Sequence, residues 1–369
     1  MAEFIKKANG IAVRFYVEKN GKRERIYLYE KGWTQEDAEN AMVDYRQRMG
    51  FIDDKEINVA GFLNKFYEDY VEKSVTETTQ RRYDEFIGIH IVPEIGNVRL
   101  QKLKPAEIQA LYTRLIKKGL SNSTVLKIHR FLHLAFRYAV LWGYLKFNPA
   151  DGVKAPSVPK KEMVIPTDEE IKIILNYAKG KDIYWPIYIA STTGMRLGEV
   201  CGLQESSVDF NGKKYIIQHT LKRVNGKLTL KSTKTAGSRR PVPFLPGTNE
   251  ELKKYLKNKT KNKLKHGPKY VDSGFFLQRA YGQPMQPDDV SKAFKAIVRK
   301  LGLNEVITFH SLRHYHASWL LRQGVHPRIV QERLGHSSVK ITLDTYSHLL
   351  PDMQRVILEK LDCSVFEAK

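Results

Sequence analysis

The chain has 369 residues, 42% hydrophobic and 28% charged, and its 62 Lys and Arg against 40 Asp and Glu give a formal net charge of +22. That length predicts two or three domains, and so large a positive excess points to a polyanionic partner, nucleic acid first. A membrane is the competing polyanion, but no apolar run approaches the roughly 18 residues a transmembrane helix needs. The start MAEFIKKANG lacks the apolar core of a secretory signal, and Cys201 and Cys363 form no CxxC pattern for disulfides or zinc. The expectation is a reduced, cytosolic protein.

Residues 11–17 set Ile11, Val13, Phe15 and Val17 against Ala12, Arg14 and Tyr16, the period of a half-buried strand. Asn20-Gly21 is a hairpin signal, and 25–29 reads as the second strand. Thr34 with Asp37 predicts a helix over 35–49. Arg14, Lys22, Arg23 and Arg25 decorate this small sheet, which can lay its strands in a DNA groove. The alternative is a hairpin whose charges only solvate it.

After the acidic turn Asp53-Asp54 the period becomes helical. Phe62, Phe66, Tyr67 and Tyr70 mark one helix, and more are predicted at about 77–90, 105–118 and 122–142, the last opened by Ser121-Asn122-Ser123. Pro93, Gly96 and Pro105 interrupt the middle. This predicts a bundle over 57–154, following a sheet domain over 1–56. Arg81, Arg82, Lys117, Lys118, Lys127 and Arg130 suit phosphate contacts, which position a protein without reading sequence; a solvated helix surface is the competing account of each.

Ala155-Pro156-Ser157-Val158-Pro159-Lys160-Lys161 has no periodicity, so 155–166 reads as an extended basic linker in which Lys160 and Lys161 add DNA contacts. Thr167 and Glu170 form a capping box that opens the last domain, 167–369. It reads as mostly helical with a β-rich section at about 206–245. The fold class is therefore multidomain α+β: a small sheet with one helix, an all-α bundle, and a mostly α domain with a small antiparallel section.

In that last domain Gly194 breaks a helix and Arg196 falls near the next N-terminus, where unpaired N–H groups favour anions. Glu199 shares its face, so a local ion pair is the plain alternative. Strands are expected at 214–219 and 226–230, joined by Asn225-Gly226, and then comes a lysine-rich turn with Lys234. A desolvated lysine there suits a general acid; the alternative is an exposed lysine that is merely solvated. His310 and Arg313 lie three apart on one helix, off an apolar stripe of Leu312, Tyr315, His316, Trp319 and Leu320, which places His316 in the core. Gly324 ends that helix, Pro327 starts another, and Gly335 stops it before His336. Ser338 caps one more short helix before Tyr346. His310 and His314 are also spaced for a metal, but the HExxH glutamate is absent and an arginine intervenes, so no metal is expected.

The ordered set Arg196, Lys234, His310-x-x-Arg313, His336 and Tyr346, in the wording TTGMRLGE, STKTAGSRR, HSLRHYHAS, LGHSS and LDTYSH, resembles the tyrosine recombinase (phage integrase) family. The bundle resembles that family's core-binding domain, and the N-terminal sheet is similar to the arm-site domain of integrases from temperate phages and conjugative transposons.

The resemblance implies a site-specific recombinase that integrates or excises a mobile element without cofactor. Tyr346 would attack the scissile phosphate and form a 3′-phosphotyrosyl link; Arg196 and Arg313 would clamp the non-bridging oxygens. Lys234 would protonate the departing 5′-oxygen, His310 accept the tyrosine proton or orient the phosphate, His336 bond a non-bridging oxygen, and Glu199 hold Arg196 in place. It further implies core and arm sites on double-stranded DNA, a homotetramer on DNA, an excisionase and DNA-bending proteins as possible partners, and a bacterial, nucleoid-associated location. Met353, Val356, Ile357, Leu358 and Leu361 offer an apolar face that either closes the chain's own core or docks on a neighbouring subunit. A type IB topoisomerase and a non-catalytic DNA-binding regulator are the rival readings.

Overall fold

The computed structural model describes residues 2–19, 22–49, 56–159, 163–224, 226–232 and 239–346. The Asn20-Gly21 turn, Asp53-Asp54, Lys160, Lys161, Lys234, Asn225, Cys363 and the apolar face beyond 350 lie outside them. The architecture is multidomain α+β. It divides into two compact units at Lys161/Glu162, within the stretch read as a linker.

The first unit opens with an antiparallel sheet in the order β1 (Glu3–Lys7), β2 (Gly10–Lys19), β3 (Lys22–Leu28). The alternation in β2 sends Val13, Phe15 and Val17 inward onto α1 (Gln35–Met49), whose start is fixed by reciprocal Thr34–Asp37 hydrogen bonds. The period-2 reading found β2 and β3; β1 has a short mixed pattern and was not expected.

The bundle follows: α2 (Val59–Phe66) runs through a π-helical turn, Tyr67–Val71, into α3 (Glu72–Ser74). Then α4 (Glu77–Glu85) runs through a second π turn, Phe86–Ile91, into α5 (Val92–Ile95). The two long members are α6 (Pro105–Lys117) and α7 (Asn122–Leu141), the latter capped by Ser121. Val59, Phe62, Leu63 and Phe66, at i, i+3, i+4 and i+7, are fully buried; each contributes roughly 1.5–3 kcal/mol of burial. Sheet and bundle share one compact unit because Tyr138 and Leu141 of α7 and Trp142 at its C-terminus join the sheet's core, and buried Glu39 of α1 pairs with Arg137.

The second unit holds α8 (Asp168–Ala178), α9 (Tyr184–Thr193) and α10 (Leu197–Cys201). A sheet β4–β5–β8 comes next (Val208–Asp209, Lys214–Ile217, Arg240–Pro243), with a separate hairpin of β6 (His219–Val224) and β7 (Lys227–Ser232). This corrects the expected 214–219/226–230 hairpin. The chain leaves one sheet at Gln218, so β6 pairs with β7 while Lys214–Ile217 lies between β4 and β8. Helices α11 (Thr248–His266), α12 (Pro287–Lys300), α13 (Phe309–Arg322), α14 (Pro327–Leu334) and α15 (Val339–Tyr346) complete the unit.

Candidate active site

Arg196 is the N-cap of α10, after the left-handed Gly194 that ends α9. A side chain at Gly194 would run into Leu334 and His316, at 2.5 and 2.9 Å, besides facing a φ of +70°. Glu199, 4% exposed, returns to the Arg196 backbone N–H at 3.0 Å and accepts from its guanidinium at 3.0 Å. The local ion pair is therefore present, but it is half of a larger set. Arg240 of β8, 7% exposed, donates to the same carboxylate at 3.0 and 3.4 Å. Burial alone would raise the Glu199 carboxyl; Arg240 and Arg196 hold it below the usual carboxylate range.

Three consecutive carbonyls at the end of α14 complete the frame. Arg333 O accepts from Arg240 at 2.7 Å, Leu334 O from Arg313 at 2.8 Å, and Gly335 O from Arg196 at 3.3 Å. A helix C-terminus carries partial negative charge and bare carbonyls, a natural seat for cations. Gly335 must be left-handed there, with φ +67°, and a Cβ on it would meet Arg240 at 2.7 Å. Arg313, 3% exposed, also donates to Gly194 O at 2.7 Å. Burial first, then Arg196, pull its pKa down to about 9, so it stays charged at neutral pH. Three guanidiniums around one carboxylate leave the pocket electropositive and suited to an anion.

The histidines separate by partner. His316 is buried, as expected, yet polar in its contacts: Nδ1 donates to Ser191 O at 3.1 Å and Nε2 accepts from Arg333 at 2.9 Å. Burial, then Arg333, lower its pKa to about 3. His336 Nδ1 pairs with the buried Thr342 hydroxyl at 2.9 Å; burial and then Arg313 and Arg196 lower it to about 4. His310 is lowered too, by loss of hydration and then by Arg313 and Arg196.

Tyr346 is 1% exposed, packed with Ala317, Leu321, Val330 and Leu334. It is the last residue of α15, within the short helix expected to precede it, and Ser338 caps that helix by accepting from Lys340 N at 3.1 Å. Its hydroxyl lies 2.8 Å from His314 Nδ1, so the group in contact with it is His314 and not His310. Burial pushes the phenol pKa well up, with Arg313 pulling the other way, and lowers His314 to about 4, His310 and Arg313 adding to that. His310 stands against His314, ring centroids 4.7 Å apart.

The structure thus brings Arg196, Glu199, His310, Arg313, His336 and Tyr346 together. Sequence reasoning passed over His314, considered only as a metal ligand, and Arg240, Arg333 and Thr342. The expected stripe on α13 is also corrected: Trp319 is exposed, while Arg313 and Ala317 are buried, because the helix is enclosed by α9 and α14.

Of the expected DNA contacts, Arg81, Arg82, Lys127 and Arg130 are exposed on α4 and α7. On the sheet, half-buried Arg14 is paired in register with Tyr27 and Tyr16 with Arg25 across β2 and β3, and Tyr16, Arg25 and Tyr27 are exposed. Arg14 there is tied to Glu3 through Nε at 3.0 Å, an ion pair not foreseen because β1 was not.

Residues 166–353 match the model of the Phage integrase family, and 59–116 that of the Phage integrase, N-terminal SAM-like domain. The chain is 29% identical over 367 residues to a "Tyrosine recombinase XerC-like" protein of Caldanaerobacter subterraneus, covering 94% of this chain and 93% of the relative. It is 29% identical to the ICEBs1 integrase of Bacillus subtilis over 75% of each. The fold matches the Tn1549 transposon integrase solved with a circular intermediate DNA, with a TM-score of 0.71 at 24% identity over 83% of this chain and 99% of that one.

Proposed function

The chain belongs to the phage integrase family and is a site-specific recombinase that cuts and rejoins DNA, and we propose that it does so with Tyr346 as nucleophile, Arg196 and Arg313 as phosphate clamp, and Lys234 as general acid. The observation that supports the tyrosine and arginine roles is the convergence of Arg196, Arg313, His310, His336 and Tyr346 at the end of α14; the role of Lys234 rests on its motif in the sequence. Tyr346 Oη attacks phosphorus, the bond to the 5′-oxygen breaks, and the strand is left as a 3′-phosphotyrosine. Lys234 gives the departing oxygen its proton. The phenol proton passes to His314, neutral and already in contact, with His310 beside it. A 5′-hydroxyl from the partner strand reverses the step and frees Tyr346, so no external energy source is required. Glu199 keeps Arg196 in place, and His336 bonds a non-bridging oxygen.

The same reading has the chain integrate and excise a mobile element as a homotetramer on double-stranded DNA. The bundle, through Arg81, Arg82, Lys127 and Arg130, and the linker lysines Lys160 and Lys161 hold the core site. The Arg14–Tyr27 and Tyr16–Arg25 face, with Lys22 and Arg23, engages arm sites. Excisionase and DNA-bending partners, and association with the nucleoid, belong to this proposal. The test is a nicked duplex carrying the attachment core. Wild type forms a denaturation-resistant protein–DNA adduct and Tyr346→Phe forms none while still binding; an equal yield from Tyr346→Phe removes the nucleophile assignment.

A further inference from the structure

We propose that the outward face of α11 binds a second segment of double-stranded DNA, apart from the duplex held in the active site; this rests on the recombinase reading above. Residues 253–269 contain eight lysines and no Asp or Glu. Four have partners: Lys253 with Glu250, Lys254 with Glu251, Lys259 with Glu205, and Lys263 with Asp272. Lys257, Lys261, Lys265 and Lys269 are exposed and form no ion pair among the described residues.

The first three of these follow one another at i+4 and share one side of the helix, about 12 Å long. The residues that seat the helix, Leu252, Tyr255 and Lys259, project from the other side by the same periodicity. Like charges at i+4 oppose helix formation, and such a breach of local preference is expected where a site serves function. A polyanion lying along the stripe removes the repulsion.

Position separates this face from the active site. Thr248 Oγ1 meets the Tyr188 hydroxyl of α9 at 2.6 Å, and the Tyr255 ring packs, tilted, on Trp185 with centroids 5.5 Å apart. So α11 advances from the middle of α9 toward its start, away from the Gly194 end where the arginines gather. At about 1.5 Å per residue, Lys257 and Lys265 lie roughly 13 and 25 Å along the helix from Thr248.

The chemistry favours duplex phosphates. Protein interfaces centre on apolar or aromatic anchors, and this face has only Leu264. Single-stranded nucleic acid is gripped by aromatic stacking, and the stripe has no aromatic residue.

The experiment compares the full-length wild type with Lys257→Gln/Lys261→Gln/Lys265→Gln in capture of a labelled duplex of unrelated sequence by protein held on a bead-bound duplex that carries both core and arm sites, so that the N-terminal sheet face is already occupied. The variant is expected to load on the first duplex as wild type does and to lose tenfold or more of second-duplex capture. The slope of log affinity for the second duplex against log salt should fall by about 2.7, at roughly 0.9 per phosphate contact. Undiminished capture overturns the proposal, as does loss of first-duplex loading in equal measure, which would put the stripe on the active-site duplex. Preference for single-stranded RNA or polyglutamate over the labelled duplex also overturns it. Adduct formation on a nicked core site reads the recombinase assignment separately: its absence from both proteins sinks that assignment and leaves the capture result to stand.

Discussion

The arginine half of the site and the tyrosine half both pack against α13 and α14, but stand in different states. Arg196, Arg240 and Arg313 are locked to Glu199 and to three α14 carbonyls, so the electropositive seat exists before any phosphate arrives. Tyr346, by contrast, is enclosed with Leu321, Val330 and Leu334, its hydroxyl held by His314. Stabilising charge in a transition state works best when the donors need no rearrangement. A nucleophile does harm if it is always presented. With the roles proposed above, the contrast puts the cost of activation on one side: DNA binding would have to uncover Tyr346 and would not have to rebuild the clamp.

Arg240→Ala is the most direct way to break this comparison. It leaves Glu199 buried with half its partners and the Arg333 carbonyl without its donor. Removing one member of a buried ion pair costs about 3–5 kcal/mol, which in a unit of this size lowers Tm by roughly 10 °C. Adduct formation should fall with it, since Arg196 loses its fixed support. A melt within a degree or two of wild type, with normal adduct yield, would mean that the arginine half is not one interlocked assembly.

Sequence reasoning reached most of the site because its residues come in short, ordered motifs and its helices announce their ends: the Thr167–Glu170 box, Gly194, Pro327 and Gly335 all sit where expected. It missed what depends on long-range packing. Arg240 is one of two adjacent arginines, and nothing local says that it turns inward to Glu199, 41 residues away. His314 carries no local mark distinguishing it from His310, and only the packing of α15 against α13 brings it to Tyr346. The β6–β7 hairpin was mispaired because Lys214–Ile217 and His219–Val224 have similar patterns, and the change of sheet at Gln218 leaves no period of its own.

Acid sharpens the comparison through the histidines. His314, His316 and His336 are lowered to about 4, 3 and 4 from an ordinary 6.5. Between these limits the unfolded chain binds more protons than the folded one, so stability rises with pH across that window. It is complete above about pH 6.5 and drains away as pH falls toward 4. Thermal unfolding should therefore show Tm several degrees lower at pH 5 than at pH 7.5. An unchanged or higher Tm at pH 5 would mean that these imidazoles are not held neutral beside the arginines. Adduct formation, as far as His314 governs it, should be level from pH 6 to 8, with no step near the ordinary histidine value.

The smallest expected effect tests where the two halves meet. Thr342 lies on α15 with Tyr346, yet its hydroxyl holds His336, the residue that follows the Gly335 carbonyl on Arg196. Thr342→Val keeps the shape and removes that one hydrogen bond, at about 0.5–1.5 kcal/mol. Adduct formation should slow by at most about tenfold, with DNA affinity unchanged because the arginines keep their partners. Combining it with Arg240→Ala then decides how separate the halves are. Additive losses would mean that seat and nucleophile are independent until DNA binds. A coupling well above the roughly 0.3–0.5 kcal/mol scatter of independent sites would make His336 the link through which a filled phosphate seat loosens the helix that carries Tyr346.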